Sequence, residues 1–277
     1  MFPLKDDIPT RRFPIVTVAL IAVNVVMFFG FQGAYFGDRA DFERKVVEYG
    51  AIPYEIGHPG KSCEQGGPGS AGTATQLRAS AAARSSGRLI CEGQPGVAGD
   101  AGDQPSLWLT LLTSMFMHGG LLHIAGNMLF LWIFGNNIED SMGRAKFVAF
   151  YLLGGLAALL AQTAIEVDAV IPTIGASGAV AAVLGGYALL YPRARVVTLI
   201  FIVIFFTVIE LPALLVLGAW FVLQAFNGAA DLAQPVGGGG VAYWAHIGGF
   251  LFGLIVIKAF ADRVHEDYER AHRPPVY

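Results

Sequence analysis

Charged residues are scarce in this sequence. Asp, Glu, Lys and Arg make up only 14% of its 277 residues, against about a quarter in a typical soluble domain. Hydrophobic residues account for 55%, so the composition predicts a polytopic membrane protein. The formal net charge is −3, and no run of Lys and Arg stands out as a phosphate-binding patch. We therefore expect no nucleic-acid partner.

Cysteine is also rare. Cys63 and Cys91 are the only two, and both lie in one hydrophilic stretch. Neither has the CxxC spacing or the neighbouring histidines of a zinc site. We expect no metal, and no motif indicates a cofactor. A disulfide between the two and a pair of free thiols are both compatible with the sequence.

Long apolar runs indicate the fold class. A helix needs roughly 20 apolar residues to cross a bilayer, and six stretches approach that length. They predict an all-α, six-transmembrane-helix bundle with spans at 15–31, 116–134, 147–165, 176–191, 206–226 and 241–260. We interpret the first as a retained span, because no small-residue cleavage site closes it.

The rest of the chain divides around these spans. Eleven glycines between residues 57 and 102 predict a flexible insertion after the first span. A short surface helix is expected at 42–49, and residues 196–205 are expected to run along the membrane interface. The predicted segments are a cytoplasmic N-terminal segment at 1–14, the first span at 15–31, an extracytoplasmic loop at 32–107, a helical core at 108–260 and a cytoplasmic tail at 261–277.

Lys and Arg in short loops set the orientation, because they favour the cytoplasmic side. Arg144 and Lys146 follow the second span, and Arg193 and Arg195 follow the fourth. Lys258, Arg263 and Arg270 lie at and beyond the end of the sixth. This pattern predicts a multi-pass protein of the cell membrane with both termini in the cytoplasm. It also gives these three spans one direction, so that their polar residues share a similar depth in the outer half of the membrane.

Three polar clusters interrupt the apolar stretches: HGGLLHIAGN at 118–127, GASG at 175–178 and AHIGG at 245–249. Polar groups inside a membrane are costly and indicate function by default. Ser177 follows Pro172 and Gly175, which break the chain and leave the serine at a helix start. Free N–H groups there can stabilise an oxyanion. The alternative is that Ser177 is only a small residue at a helix contact.

His246 is the second candidate, with a buried structural histidine as the alternative. A Ser–His pair needs two closely packed helices, since the hydrogen bond spans only about 2.6–3.2 Å. Small residues line one face of each helix: Ser177, Ala181 and Gly185 on the fourth span, and His246, Gly249 and Gly253 on the sixth. We therefore expect His246 on the close-packing side, facing Ser177.

The second span carries two further candidates. His123 and Asn127 are four residues apart, so they point the same way on a helix and offer N–H donors suited to an oxyanion. His118 lies five residues before His123, which on a helix rotates it by about 140°. We expect His118 to have a structural role at the loop boundary. Trp108, Trp132, Trp220 and Trp244 are interpreted as core or interfacial aromatics.

Together, and in this order on alternate spans, the three motifs resemble the rhomboid intramembrane serine proteases over about residues 105–255. The resemblance implies a rhomboid-like catalytic core and a serine endopeptidase that cuts transmembrane protein substrates near the outer face, in contact with membrane lipid. It leaves the oligomeric state open. The implied roles are Ser177 as nucleophile, His246 as general base, His123 and Asn127 as oxyanion donors, His118 as the first motif histidine, and Gly175 as a glycine that lends its backbone to the site.

Two features depart from the family pattern. Many members have a Trp-Arg pair in the first outer loop, whereas here no tryptophan precedes Trp108. Many also place an aromatic residue one turn after the serine, against the histidine ring, where this chain has Ala181. Three rival functions are a transporter with broken helices, an inactive binder of membrane proteins on the same fold, and a haem-binding bundle using His118, His123 or His246.

Overall fold

The computed structural model describes residues 2–34, 36–65, 89–94, 97, 105–202, 205–232 and 240–262. The centre of the Gly-rich insertion and most of the predicted tail lie outside the described residues. The helices are α1 (Ile15–Phe31), α2 (Arg39–Tyr49), α3 (Pro53–Gly57), α4 (Leu107–Phe116), α5 (Leu121–Met142), α6 (Arg144–Ile165), α7 (Ser177–Leu190), α8 (Ala213–Leu232) and α9 (Tyr243–Phe260). The strands are β1 (Phe2–Asp6), β2 (Cys63–Gln65), β3 (Leu89–Cys91), β4 (Arg195–Ile202) and β5 (Phe205–Pro212).

Four helices in the described part are long and apolar enough to cross a membrane, namely α5, α6, α8 and α9. They correspond to the predicted second, third, fifth and sixth spans. The helices at the places of the first and fourth spans, α1 and α7, are apolar but shorter. The prediction of a helical membrane bundle is therefore confirmed, whereas the count of six spans is not.

The segment before α8 is a β-hairpin, so the all-α prediction is wrong there. Strands β4 and β5 pair antiparallel along their whole length, and β1 adds to β4 to give the order β1-β4-β5. The sequence of 196–209 is dominated by β-branched and aromatic residues, which favour strands over helices. Strand β5 ends at Pro212, and α8 begins at Ala213 rather than at 206.

Helix α7 is the centre of the bundle and packs against both α6 and α9, which also pack against each other. Glycines bring the α7 and α9 backbones into contact: a Cβ on Gly249 would collide with the carbonyl oxygen of Gly178, and one on Gly185 would collide with that of Phe250. The predicted faces of small residues are thus the actual contact. Because no side chain separates the backbones, residues near the start of both helices lie within hydrogen-bonding reach.

The described part of the insertion covers the loop between α6 and α7. Cys63 and Cys91 form a disulfide at paired positions of β2 and β3. Ala51 N donates to Thr173 O at 3.3 Å, and Thr173 N donates back to Ala51 O at 2.7 Å. The insertion is therefore attached to the loop that leads into Ser177.

The N-terminal strand is tied to the bundle by a buried carboxyl group. Oδ2 of Asp6 accepts hydrogen bonds from Nδ2 of Asn137 and from the hydroxyl of Tyr187, both at 2.6 Å. Burial raises the pKa of Asp6 to about 6, partly offset by the Tyr187 hydrogen bond. This group titrates in a range where an ordinary aspartate is already ionised.

Candidate active site

Ser177 is the first residue of α7, directly after a turn that only glycine adopts readily. Gly175 has φ +127°, a conformation that side-chain-bearing residues rarely take. Its N–H donates to the carbonyl of Ser114 at 2.8 Å, so this N–H is already used within the protein. The N–H groups of Ser177 and Gly178 belong to the first helical turn and have no intrahelical acceptor.

The structure brings Ser177 and His246 together as the sequence predicted. Nε2 of His246 lies 2.8 Å from Oγ of Ser177, within the range expected for a nucleophile and its base. The two side chains come from positions 69 residues apart on α7 and α9. The glycine contacts between these helices allow so short a bridge, because larger side chains would hold the backbones apart.

His246 has two further neighbours, both on α8, that sequence reasoning missed. Nδ1 of its ring is 2.9 Å from Oε1 of Gln224. The Trp220 ring centroid is 5.8 Å from that of His246, with the planes tilted by 38°. Trp220 and Gln224 are one helical turn apart, and an amide in an apolar span is itself a signal of function. That signal could have found Gln224.

His123 faces the turn before the nucleophile. Gly119 N donates to Nδ1 of His123 at 3.3 Å, which leaves the ring proton on Nε2. A Cβ built on Gly175 would lie 2.7 Å from that Nε2 and 3.5 Å from Oγ of Ser177. The N–H of His123 is therefore directed at the region in front of the serine.

Asn127 lies one turn further along α5 and is only 7% exposed. Its Nδ2 is buried and has no hydrogen-bond partner among the described residues. A buried amide donor without a partner costs free energy, and such a cost is expected where a donor awaits a substrate oxygen. Asn127, His123, Ser177 and His246 all line one cavity of roughly 1740 Å³.

His118 is fully buried beside the site. Its backbone is fixed by Gln32, which donates Nε2–H to His118 O at 3.0 Å and accepts from His118 N at 2.9 Å. The His118 ring packs edge-on against His123, with centroids 5.1 Å apart. The predicted 140° separation is wrong because α5 begins only at Leu121, so helical spacing does not apply to His118.

The chain is similar in sequence to known proteins. Residues 105–263 match the family model described as the Rhomboid domain. Rhomboid protein 1, mitochondrial, of Saccharomyces cerevisiae is 31% identical over 166 residues, covering 58% of this chain and 44% of the relative. Presenilin-associated rhomboid-like protein, mitochondrial, of Mus musculus is 31% identical over 146 residues, covering 52% and 36%. Rhomboid protease GluP of Bacillus subtilis is 39% identical over 84 residues, covering 30% and 16%.

The matches span less than half the length of these curated relatives. The yeast and mouse relatives are named as mitochondrial proteins. These names overturn the predicted location in the cell membrane with both termini in the cytoplasm. The family match covers more than half of the chain, and the family includes proteases, as the Bacillus name records. This chain belongs to the rhomboid family of membrane proteins.

Proposed function

We propose that this protein is an intramembrane serine endopeptidase, which uses a Ser177–His246 dyad to hydrolyse peptide bonds in or near transmembrane segments of membrane-protein substrates. The observation that carries the proposal is the 2.8 Å contact between Oγ of Ser177 and Nε2 of His246. Serine is a weak nucleophile on its own and needs a positioned base. A partly buried Ser–His pair inside a helical bundle has this arrangement.

The chemistry follows from the two atoms in contact. Oγ of Ser177 attacks the scissile carbonyl carbon while its proton passes to Nε2 of His246. The tetrahedral intermediate then expels the amine, which takes the proton from Nε2 as the C–N bond breaks. Water attacks the resulting acyl-enzyme, again losing a proton to His246, and the serine is regenerated with release of the carboxylic acid.

The negative oxygen of the tetrahedral intermediate needs donors that are already in place. We assign this role to Nε2–H of His123, Nδ2–H of Asn127 and the N–H of Ser177, which has no intrahelical acceptor. The Gly175 N–H is excluded by its bond to Ser114, so Gly175 supports the site through its turn. His118 supports it through its ring contact with His123.

Location and topology belong to the same proposal. The names of the yeast and mouse relatives lead us to propose a mitochondrial membrane. We place the insertion at 32–107 and the cavity on the membrane side opposite Arg144 and Lys146, because short loops with an excess of Lys and Arg remain on one side of the membrane. In this arrangement 15–31 is the first span, and the segments 1–14 and 261–277 lie on the positive side.

A serine-directed probe tests the dyad. The purified protein in detergent is treated with a fluorophosphonate, which forms a bond to an activated serine. We expect labelling of the wild type and loss of labelling in Ser177→Ala and His246→Ala, with parallel loss of cleavage of a reconstituted transmembrane substrate. Ile255→Ala on α9 is the control, because this side chain is 75% exposed. An unlabelled wild type would instead favour the inactive binder.

A further inference from the structure

We propose that α8 holds the general base in its working form: Gln224 keeps the ring proton of His246 on Nδ1, and Trp220 supports the ring. The inference rests on the proposed function, because it concerns how His246 serves Ser177. It makes Gln224 and Trp220 positioning residues of the dyad.

The first step concerns the position of the proton. A neutral imidazole carries one proton, and the nitrogen without it is the acceptor. For Nε2 to accept the Ser177 proton, the ring proton must be on Nδ1, where Oε1 of Gln224 accepts it at 2.9 Å. Gln224 is only 7% exposed, so little water competes for this bond. The bond therefore selects the tautomer that the reaction requires.

The second step concerns the charged ring. After Nε2 takes the serine proton, both ring nitrogens are donors and the ring is positive. The amide oxygen of Gln224 remains in place to accept from Nδ1–H, and hydrogen bonds to charged groups are stronger than neutral ones. Among the described residues, the titratable group that acts on this ring across the cavity is His123. Gln224 thus supplies the acceptor that a carboxylate supplies in three-membered serine sites.

The third step concerns the ring face. Ala181 lies one turn after Ser177, and its Cβ would be 3.3 Å from a Cβ on Gly249, so this position belongs to the tight α7–α9 contact. A methyl group there cannot cover the imidazole. Trp220 on α8 lies near the ring instead, with the two ring centroids 5.8 Å apart. The aromatic support missing after the nucleophile is thereby provided by α8.

The fourth step concerns how α8 keeps its place. Phe221 stacks on Phe250 with ring centroids 4.7 Å apart, and Trp220 also lies 6.2 Å from Phe250. One turn beyond Gln224, Gly228 faces Tyr243, where an added Cβ would lie 3.2 Å from the Tyr243 Cβ. The same face of α8 that docks on α9 therefore carries the two residues that contact His246.

The test compares Gln224→Met, which keeps the length but removes the amide oxygen, with Gln224→Glu, which retains an acceptor. Val222→Ala is the matched control on α8, because Val222 is 65% exposed. Measured quantities are the fluorophosphonate labelling rate, kcat and KM, each per folded protein, and nitrogen NMR of His246. We expect Gln224→Met to lower labelling rate and kcat by about 10–100-fold with KM unchanged, the size of a lost hydrogen bond to a charged group.

The NMR signal separates this inference from the proposed function. Wild type should show His246 protonated on Nδ1, and Gln224→Met should show both tautomers, whether or not the protein cleaves anything.

Gln224→Glu should retain labelling and move the acidic limb of the kcat/KM profile to higher pH, since a carboxylate favours the protonated ring. Trp220→Phe should retain more activity than Trp220→Ala. An unchanged tautomer and labelling rate in Gln224→Met would overturn the inference, and failure of wild-type labelling alone would overturn only the proposed function.

Discussion

Gly175 and His123 approach so closely that position 175 has no room for a side chain. A Cβ there would lie 2.7 Å from Nε2 of His123, well inside van der Waals contact. The φ of +127° excludes most other residues for an independent reason. The turn before the nucleophile and the proposed oxyanion donor are thus fitted to each other, and a change in either one moves both.

Gly175→Ala should therefore impair catalysis. The methyl group must push the His123 ring away, and a displacement of about 1 Å in a catalytic group can cost roughly 100-fold in rate. Backbone strain should also lower the free energy of unfolding by about 1–3 kcal/mol. The fluorophosphonate labelling rate and thermal unfolding in detergent measure the two effects.

Gly218→Ala is the control for this substitution. Nothing lies within 4 Å of a Cβ at Gly218 on α8, and Ala is favoured over Gly in a helix by about 0.5–1 kcal/mol. The control should be slightly more stable than the wild type and equally active. Wild-type labelling in Gly175→Ala would show that His123 does not need its observed position.

The oxyanion donors should matter less than the dyad. His123→Ala and Asn127→Ala each remove one donor, which is worth about 10²–10³ in rate, while the Ser177 N–H remains. Each variant should lower kcat with little change in KM, because the interaction forms in the transition state. Turnover of a reconstituted substrate checks this. Wild-type rates in both variants would remove the oxyanion assignment.

Much of the site could be predicted because its parts follow local rules. The helix start at Ser177 and the small-residue faces of α7 and α9 can be predicted from residue type and spacing alone. Together they predict the Ser177–His246 contact. The single amide of Gln224 in an apolar helix is a signal of function, but nothing in the sequence indicates that its partner is His246. His118 was misplaced because helical spacing was applied before the helix begins at Leu121.

The fold showed the same division. Long apolar helices were found from composition, whereas the β4–β5 hairpin was read as an interfacial segment and part of a span. Apolar runs look alike in strands and helices over such lengths, although the β-branched and aromatic residues of 196–209 favour strands. The Cys63–Cys91 bond could not be decided either, because it depends on two strands that meet across a long insertion.

Asp6 should make stability depend on pH. Its pKa rises from 3.8 to about 6 on folding, so between these values the folded carboxyl holds a proton that the unfolded one has lost. The contribution of Asp6 to the free energy of unfolding is therefore greatest below pH 4. It falls as the pH rises through 6, by on the order of 3 kcal/mol. Asp6→Asn retains an acceptor oxygen but does not titrate.

The difference in melting temperature between wild type and Asp6→Asn, measured from pH 4 to 7, isolates this group from others that titrate. We expect the wild type to lose stability relative to the variant across the range. Asp7→Asn serves as a control for removing a negative charge from the same segment. A constant difference between wild type and Asp6→Asn would contradict the assignment.

The disulfide should stabilise the insertion rather than the bundle. Cys63 and Cys91 are 28 residues apart, and closing such a loop contributes on the order of 3 kcal/mol of local constraint. The Ala51–Thr173 backbone pairing holds the insertion on the α6–α7 loop independently. Cys63→Ser combined with Cys91→Ser should therefore retain Ser177 labelling while the insertion becomes easier to cleave with added protease.

Maleimide should label the wild type only after reduction, because both thiols are held in the disulfide. Reductant should not alter protease sensitivity in the double variant, which serves as the control. If reduction abolished Ser177 labelling in the wild type, the disulfide, and not the backbone pairing, would hold the loop before the nucleophile.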